Sequence, residues 1–328
     1  MRLLPVLAGL AGILLLAAGA GAAEERAVIP LHARPGPSGF ANIMTVAVGG
    51  GAPHDVLFDT GSNGLRIRAE AVGPEVRLTD IPITYSYTSG NVLRGVLGYA
   101  RVAFPGARPA VATPREIAIQ VVQSVTCKAD KPRCPGWPKS QAGVLGAAYN
   151  PTPIFNPLAQ LEGRLADGFV VVADDLARPG IAPHVIVGPD EADLAGFSFA
   201  PFDAWTGGSQ PDGLRAWNTK SVMTCFSVDR GPERCHGTVF DTGAGNGSFE
   251  VPDHPVGRTV RPGSLVTTRV PEAGMTLSIV AGSAHWTNRY RFAPPHGSVK
   301  GFNSGGLVFR HMQIAFDAVK GRIGFKRP

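Results

Sequence analysis

The tripeptide Asp-Thr-Gly occurs twice in this chain, as Asp59-Thr60-Gly61 and Asp241-Thr242-Gly243, each time behind a Phe that ends an apolar run. The two aspartates lie 182 positions apart (241 − 59) yet share one local construction. If they meet, two carboxyls a few ångströms apart cannot both ionise cheaply, so they share a proton. The ionised member can then take a proton from water while the protonated member polarises a carbonyl and later protonates a leaving group. The chemistry implied is hydrolysis by an activated water held between Asp59 and Asp241.

Such carboxyls need rigid presentation. Val56-Leu57-Phe58 and Thr238-Val239-Phe240 read as buried strand ends, which places each Asp at a strand tip, and the following Gly allows a tight reversal of the backbone. His54-x-x-x-Phe58-Asp59-Thr60-Gly61 and His236-x-x-x-Phe240-Asp241-Thr242-Gly243 share their spacing, the trace of an internal repeat whose copies face each other. The two histidines read as hairpin surface residues, not as catalysts.

Arg2, an apolar stretch from Leu3 to about Ala18 and the small residues Ala20-Gly21-Ala22 read as a secretory signal peptide over residues 1–23. Pro5 and the Gly/Ala content argue against an uncleaved anchor, and no other segment is long and apolar enough to span a bilayer. The expectation is an exported protein, periplasmic or secreted, with no stable membrane insertion once the signal is cleaved. Four cysteines fall into local pairs, Cys127 with Cys134 and Cys225 with Cys235, which in an exported chain read as disulfides. Their spacings are not those of a zinc knuckle. The net charge of +6 is spread without a Lys/Arg run, which argues against a nucleic-acid partner.

With 42 Gly, 29 Pro and many short Val/Ile/Thr/Phe runs, the composition points to an all-β fold. Gly49 to Pro53 reads as a hairpin turn, and Ile81 to Val102 as two strands joined by a long mobile hairpin over Ser86 to Arg94. Gly143-Val144-Leu145-Gly146 reads as a buried strand, Phe155 to Leu165 as a short helix, and Met312 to Phe325 as a closing hairpin. The polar segment ending in Arg178-Pro179-Gly180 divides the mature chain into residues 24–176 and 177–328, one Asp-Thr-Gly in each. Asn246-Gly247-Ser248 fits a glycosylation sequon but reads more simply as a turn.

Taken in order, these landmarks resemble the pepsin-like aspartic proteases. Phe58 to Ser62 is similar to that family's first catalytic loop and Val239 to Gly243 to its second. Ile83-Thr84-Tyr85 leading to Gly95-Val96-Leu97-Gly98-Tyr99 resembles the flap over the cleft, with Tyr85 matching the flap tyrosine. Gly143 to Tyr149 resembles the strand that threads behind the first loop, Val185 to Gly188 the first strand of the second lobe, and Val308 to Phe325 the closing strands. The resemblance implies a two-lobed fold with a cleft between the lobes and a polypeptide substrate, acting as a monomer without metal or cofactor. It implies that Asp59 and Asp241 are catalytic and that Ser62 orients Asp59. It further implies that Thr60 and Thr242 brace the two loops, and that Gly61 and Gly243 give N–H groups to the carboxylates.

The chain departs from that pattern in four places. Ala244 stands where a hydroxyl residue usually bonds the outer oxygen of the second Asp. Asp59 and Tyr85 are only 26 positions apart (85 − 59), with no Trp between them to hold the tyrosine. Ser304-Gly305-Gly306 stands where two apolar residues and a Gly are usual. The mature chain has no room ahead of Asp59 for an inhibitory prosegment. No Gly-x-Ser-x-Gly elbow or His-Glu-x-x-His is present. The rival reading is a pepsin-like fold that binds a polypeptide or carbohydrate in its cleft without cutting it.

Overall fold

The computed structural model describes residues 25–36, 39–173, 180–206, 213–252, 254–282, 289–293 and 301–327. The signal segment and the expected boundary at 176/177 lie outside these residues. The fold is nearly all-β, as the composition led us to expect, with four sheets and only short helical turns among the described residues.

A ten-stranded sheet is built from strands between His32 and Ala147, and it presents Asp59. The strand His54–Asp59 pairs antiparallel with Gly39–Val48, and Gly49 and Gly50 supply positive φ in the turn between them. A third strand, Gly143–Ala147, slots between the two arms of the Asp59 loop. It runs parallel to His54–Asp59, with Leu145 opposite Phe58, and antiparallel to Asn63–Arg68, with Leu145 opposite Leu65. Gly146 is required there, because a Cβ would meet the Asn63 backbone nitrogen at 2.6 Å.

A seven-stranded sheet repeats this construction around Asp241. The short strand Phe302–Asn303 runs parallel to Arg234–Val239 and antiparallel to Gly247–Phe249, between the arms of the second loop. Gly305 plays the part of Gly146, since its Cβ would stand 2.5 Å from the Gly247 nitrogen, whereas Gly306 has nothing closer than 3.4 Å. The sequence reading, which aligned Gly306 here, was one residue out of register. The repeat inferred from local spacing is therefore also a repeat of strand topology.

Beneath both loops lies a six-stranded sheet in the order Ala27–Pro30, His184–Val187, Gly168–Val172, Gln313–Asp317, Arg322–Lys326, Ser198–Pro201. Its aromatic residues meet the Phe that precedes each Asp. Phe58 packs edge-on against Phe169 at 6.0 Å, Phe169 stacks on Phe316 at 4.7 Å, and Phe240 meets Phe325 at 4.9 Å. Both Phe58 and Phe240 are buried, each worth about 1.5–3 kcal/mol relative to exposure.

The hairpin Arg77–Ser86/Asn91–Ala100 turns over Tyr87 to Gly90, with Tyr87 N–H bonded to Asn91 O and Gly90 at φ 103°. This corrects the long mobile connection expected over Ser86 to Arg94. The turn is tied to the segment closed by the Cys127–Cys134 disulfide: Lys128 N–H donates to Gly90 O at 2.8 Å, and Asn91 and Gly136 exchange side-chain and backbone bonds at 3.0 and 3.1 Å. Cys225–Cys235 is the second disulfide, bridging register partners of adjacent strands. Both pairings match the sequence expectation and fit an oxidising compartment. The helix expected over Phe155 to Leu165 is two 3₁₀ turns, Leu158–Gln160 and Gly163–Ala166, although Phe155, Leu158, Leu161 and Leu165 are all buried as the pattern required. Among the described residues no helix is long and apolar enough to cross a membrane.

Candidate active site

The two Asp-Thr-Gly loops meet face to face. Thr60 Oγ1 donates to Phe240 O at 2.7 Å and accepts from Thr242 N–H at 3.0 Å. Thr242 Oγ1 donates to Phe58 O at 2.7 Å and accepts from Thr60 N–H at 3.1 Å. Each threonine thus satisfies two backbone groups of the opposite loop, in a buried setting where an unpaired group would be costly. The brace expected of Thr60 and Thr242 is present as four reciprocal bonds.

Gly61 and Gly243 serve space and not chain reversal, since neither adopts a positive φ. A Cβ on Gly61 would lie 2.5 and 2.6 Å from the Asp241 carboxylate oxygens, and one on Gly243 would lie 2.5 Å from Asp59 Oδ1. Each glycine is the surface against which the other loop's carboxyl rests. Both also donate N–H groups as anticipated, Gly61 to Asp59 Oδ1 at 2.8 Å and Gly243 to Asp241 Oδ1 at 2.7 Å.

Asp59 and Asp241 are buried, 5% and 9% exposed, each with its carboxyl against the glycine of the opposite loop. Ser62 Oγ donates to Asp59 Oδ2 at 2.5 Å. Burial, followed by the neighbouring charge of Asp59, holds the Asp241 carboxyl well above the usual carboxylate range, although the donors Asn303 and Gly243 pull the other way. The pair is built to keep one proton.

Ala244 offers Asp241 no hydroxyl, yet the outer oxygen of Asp241 is bonded. Asn303 Nδ2 donates to Asp241 Oδ2 at 2.6 Å, while Ala244 offers its backbone N–H to Oδ1 at 3.1 Å. Asn303 reaches the site because the inserted strand sets it opposite Val239, two residues before Asp241, and its Oδ1 in turn accepts from Gly305 N–H at 2.8 Å. Ser304, buried where an apolar residue was expected, accepts the Asp241 N–H at 3.3 Å. No local sequence signal marked Asn303; only the strand pairing brings it here.

Tyr85 lies half-buried on the hairpin, and its hydroxyl pKa is raised by burial and by the charges of both aspartates, against the lowering effect of Arg66. Tyr87, which opens the turn, was not singled out from sequence. Its ring meets that of Tyr85 edge-on at 4.8 Å, and burial pushes its pKa up. Its buried hydroxyl lies near Ser62 without a hydrogen bond of good geometry. Where a Trp was expected beside Tyr85, Arg66, seven residues past Asp59 (66 − 59), sets its guanidinium 3.5 Å over the Tyr85 ring.

His54 and His236 take no part, both half-buried on strands that approach the loops. One cluster with metal-ligand spacing, Cys225, Glu233 and Cys235, has both sulfurs committed to a disulfide. No protein-family model matches the chain, and no curated protein matches it.

Proposed function

We propose that this chain is an aspartic endopeptidase with the two-lobed pepsin-like fold, hydrolysing polypeptides in the cleft where the two loops meet. In this reading residues 24–176 and 177–328 form the lobes, the signal segment directs export to the periplasm or medium, and the protein acts as a monomer. The observation that carries the reading is the buried carboxyl pair with its reciprocal threonine brace and unequal donor sets.

The mechanism follows from the pair sharing one proton. The ionised carboxyl accepts a proton from a water held between Asp59 and Asp241 as the water oxygen bonds to the peptide carbonyl carbon. The protonated carboxyl gives its proton toward the carbonyl oxygen. The tetrahedral species then collapses: the C–N bond breaks, the amine leaves with the proton taken up from water, and the oxygen of the re-forming carbonyl returns its proton to the carboxyl that gave it. Hairpin residues Tyr85 and Tyr87 cover the reacting bond and limit bulk water.

Cleavage of an unfolded protein at acid pH, blocked by a statine-type inhibitor, tests the reading. Asp59→Asn and Asp241→Asn should each abolish it with circular dichroism unchanged. Turnover retained in either variant would remove the pair from the mechanism, and binding of polypeptide without any cleavage by the wild type would favour the inert binder.

A further inference from the structure

Arg66 is the largest fully buried side chain among the described residues, 1% exposed, and among those residues it pairs with no carboxylate. A buried cation in that position is expensive unless something replaces water. What replaces it is two carbonyls of its own strand and the aromatic face of the hairpin. Nη1 donates to Asn63 O at 2.5 Å and Gly64 O at 3.4 Å on its own strand, and the guanidinium carbon lies over the rings of Tyr85 at 3.5 Å and Tyr87 at 5.9 Å. Its Nε is buried with no partner.

The residue opposite Arg66 on the neighbouring parallel strand is Gln120, fully buried and on the same face. Gln120 Nε2 donates to Ile83 O at 3.0 Å and Leu93 O at 3.3 Å, one carbonyl from each strand of the hairpin. Its Oε1, like Arg66 Nε, is buried without a partner, so an unused donor and an unused acceptor stand on register-paired residues. The hairpin is shaped to be held there. Its pairing slips between Leu78 and Pro82 and again opposite Val122 and Ser124, and Gly95 presses so closely on Val121 O that no Cβ would fit.

We propose that Arg66 and Gln120 form a latch that sets the hairpin down over the carboxyl pair, with Arg66 a positioning residue acting through the faces of Tyr85 and Tyr87. The inference deepens the peptidase reading and rests on it for its effect on turnover, but the latch itself is read without turnover. Opening the hairpin strips the rings from a buried guanidinium, which biases the equilibrium toward the closed form. Substrate that must slide beneath the rings works against that bias.

Hydrogen exchange followed by mass spectrometry on the full chain tests it. Arg66→Met and Gln120→Leu should each raise exchange of the amides over 85–91 about tenfold, with the strand Gly143–Ala147 unchanged. Tyr85→Leu, at a half-buried position that spares the core, should do the same, whereas Tyr85→Phe keeps the ring face and should exchange as the wild type does. The Arg66→Met/Tyr85→Leu double variant should exchange no faster than either single one, because both remove one contact. Wild-type exchange over 85–91 in both Arg66→Met and Tyr85→Leu overturns the latch, whatever the activity. On a peptide substrate Arg66→Met should raise KM about tenfold with a smaller change in kcat, and Arg66→Lys should recover part of the loss. Unchanged KM overturns the positioning role. A wild type that cuts no peptide yet shows this exchange pattern defeats the peptidase reading and leaves the latch standing.

Discussion

The fine control of this site is exerted on single oxygen atoms. Asn303 stabilises the ionised form of Asp241 through its bond to the outer oxygen. Asn303→Ala should lower kcat about tenfold and move the alkaline limb of the pH–rate profile upward, because the pair then holds its last proton more tightly. Ala244→Ser added to that variant should restore part of the loss by supplying a hydroxyl on the same loop, and no recovery would place Asn303's contribution elsewhere. The raised pKa of Asp241 also sets a sign for stability. The folded protein binds a proton there that the unfolded chain releases near pH 4, so this contribution is full below about pH 4 and is lost as pH rises through the raised value. Thermal melts of wild type and Asp241→Asn at about pH 4 and pH 7 should therefore diverge, with the wild type falling behind at the higher pH.

Between residues and molecule stand the inserted strands, the brace and the hairpin. Thr242→Val removes one hydroxyl and leaves the Phe58 carbonyl and the Thr60 amide buried without partners. It should cost about 2–4 kcal/mol in denaturant unfolding, and Thr242→Ser should cost far less. The Cys127–Cys134 segment holds the hairpin turn through Gly90 and Asn91, so Cys127→Ser/Cys134→Ser should raise KM for a peptide while sparing kcat. These elements differ in how much of them could be read from sequence. Asp59, Asp241, the two threonines and Ser62 were legible because their partners lie within a short motif that repeats. The disulfides were legible because each closes a short loop. Asn303, Arg66 and Tyr87 were not, since each reaches the site through strand register or a hairpin fold-over that local spacing does not encode. In Asn63–Arg68 the alternation of Leu65 and Ile67 with Arg66 and Arg68 suggests a solvent-facing arginine, and only the hairpin lying on that face makes Arg66 interior. The misplaced turn and the 3₁₀ pieces are boundary errors of the same origin, where tertiary contacts outweigh local propensity.

At the scale of the molecule, the six-stranded sheet is woven from three distant stretches of chain, with Ala27–Pro30 at one edge and Gln313–Asp317 and Arg322–Lys326 within it. Such long-range pairing predicts slow folding, on the scale of milliseconds to seconds or longer, and a chain ending before Gln313 should refold to no hydrolytic activity even with both aspartates present. Secondary structure and peptide hydrolysis followed side by side in that truncated chain would check it, and an active fragment would show the sheet to be dispensable. Phe240 rests on Phe325, and Phe58 reaches Phe316 through Phe169. The support beneath both aspartates thus forms only once residues far apart in sequence, Phe169, Phe316 and Phe325, have come together. On the peptidase reading proposed above, a cut or partly unfolded form that keeps Asp59 and Asp241 but loses this platform would be inert, so loss of the fold would itself switch the activity off.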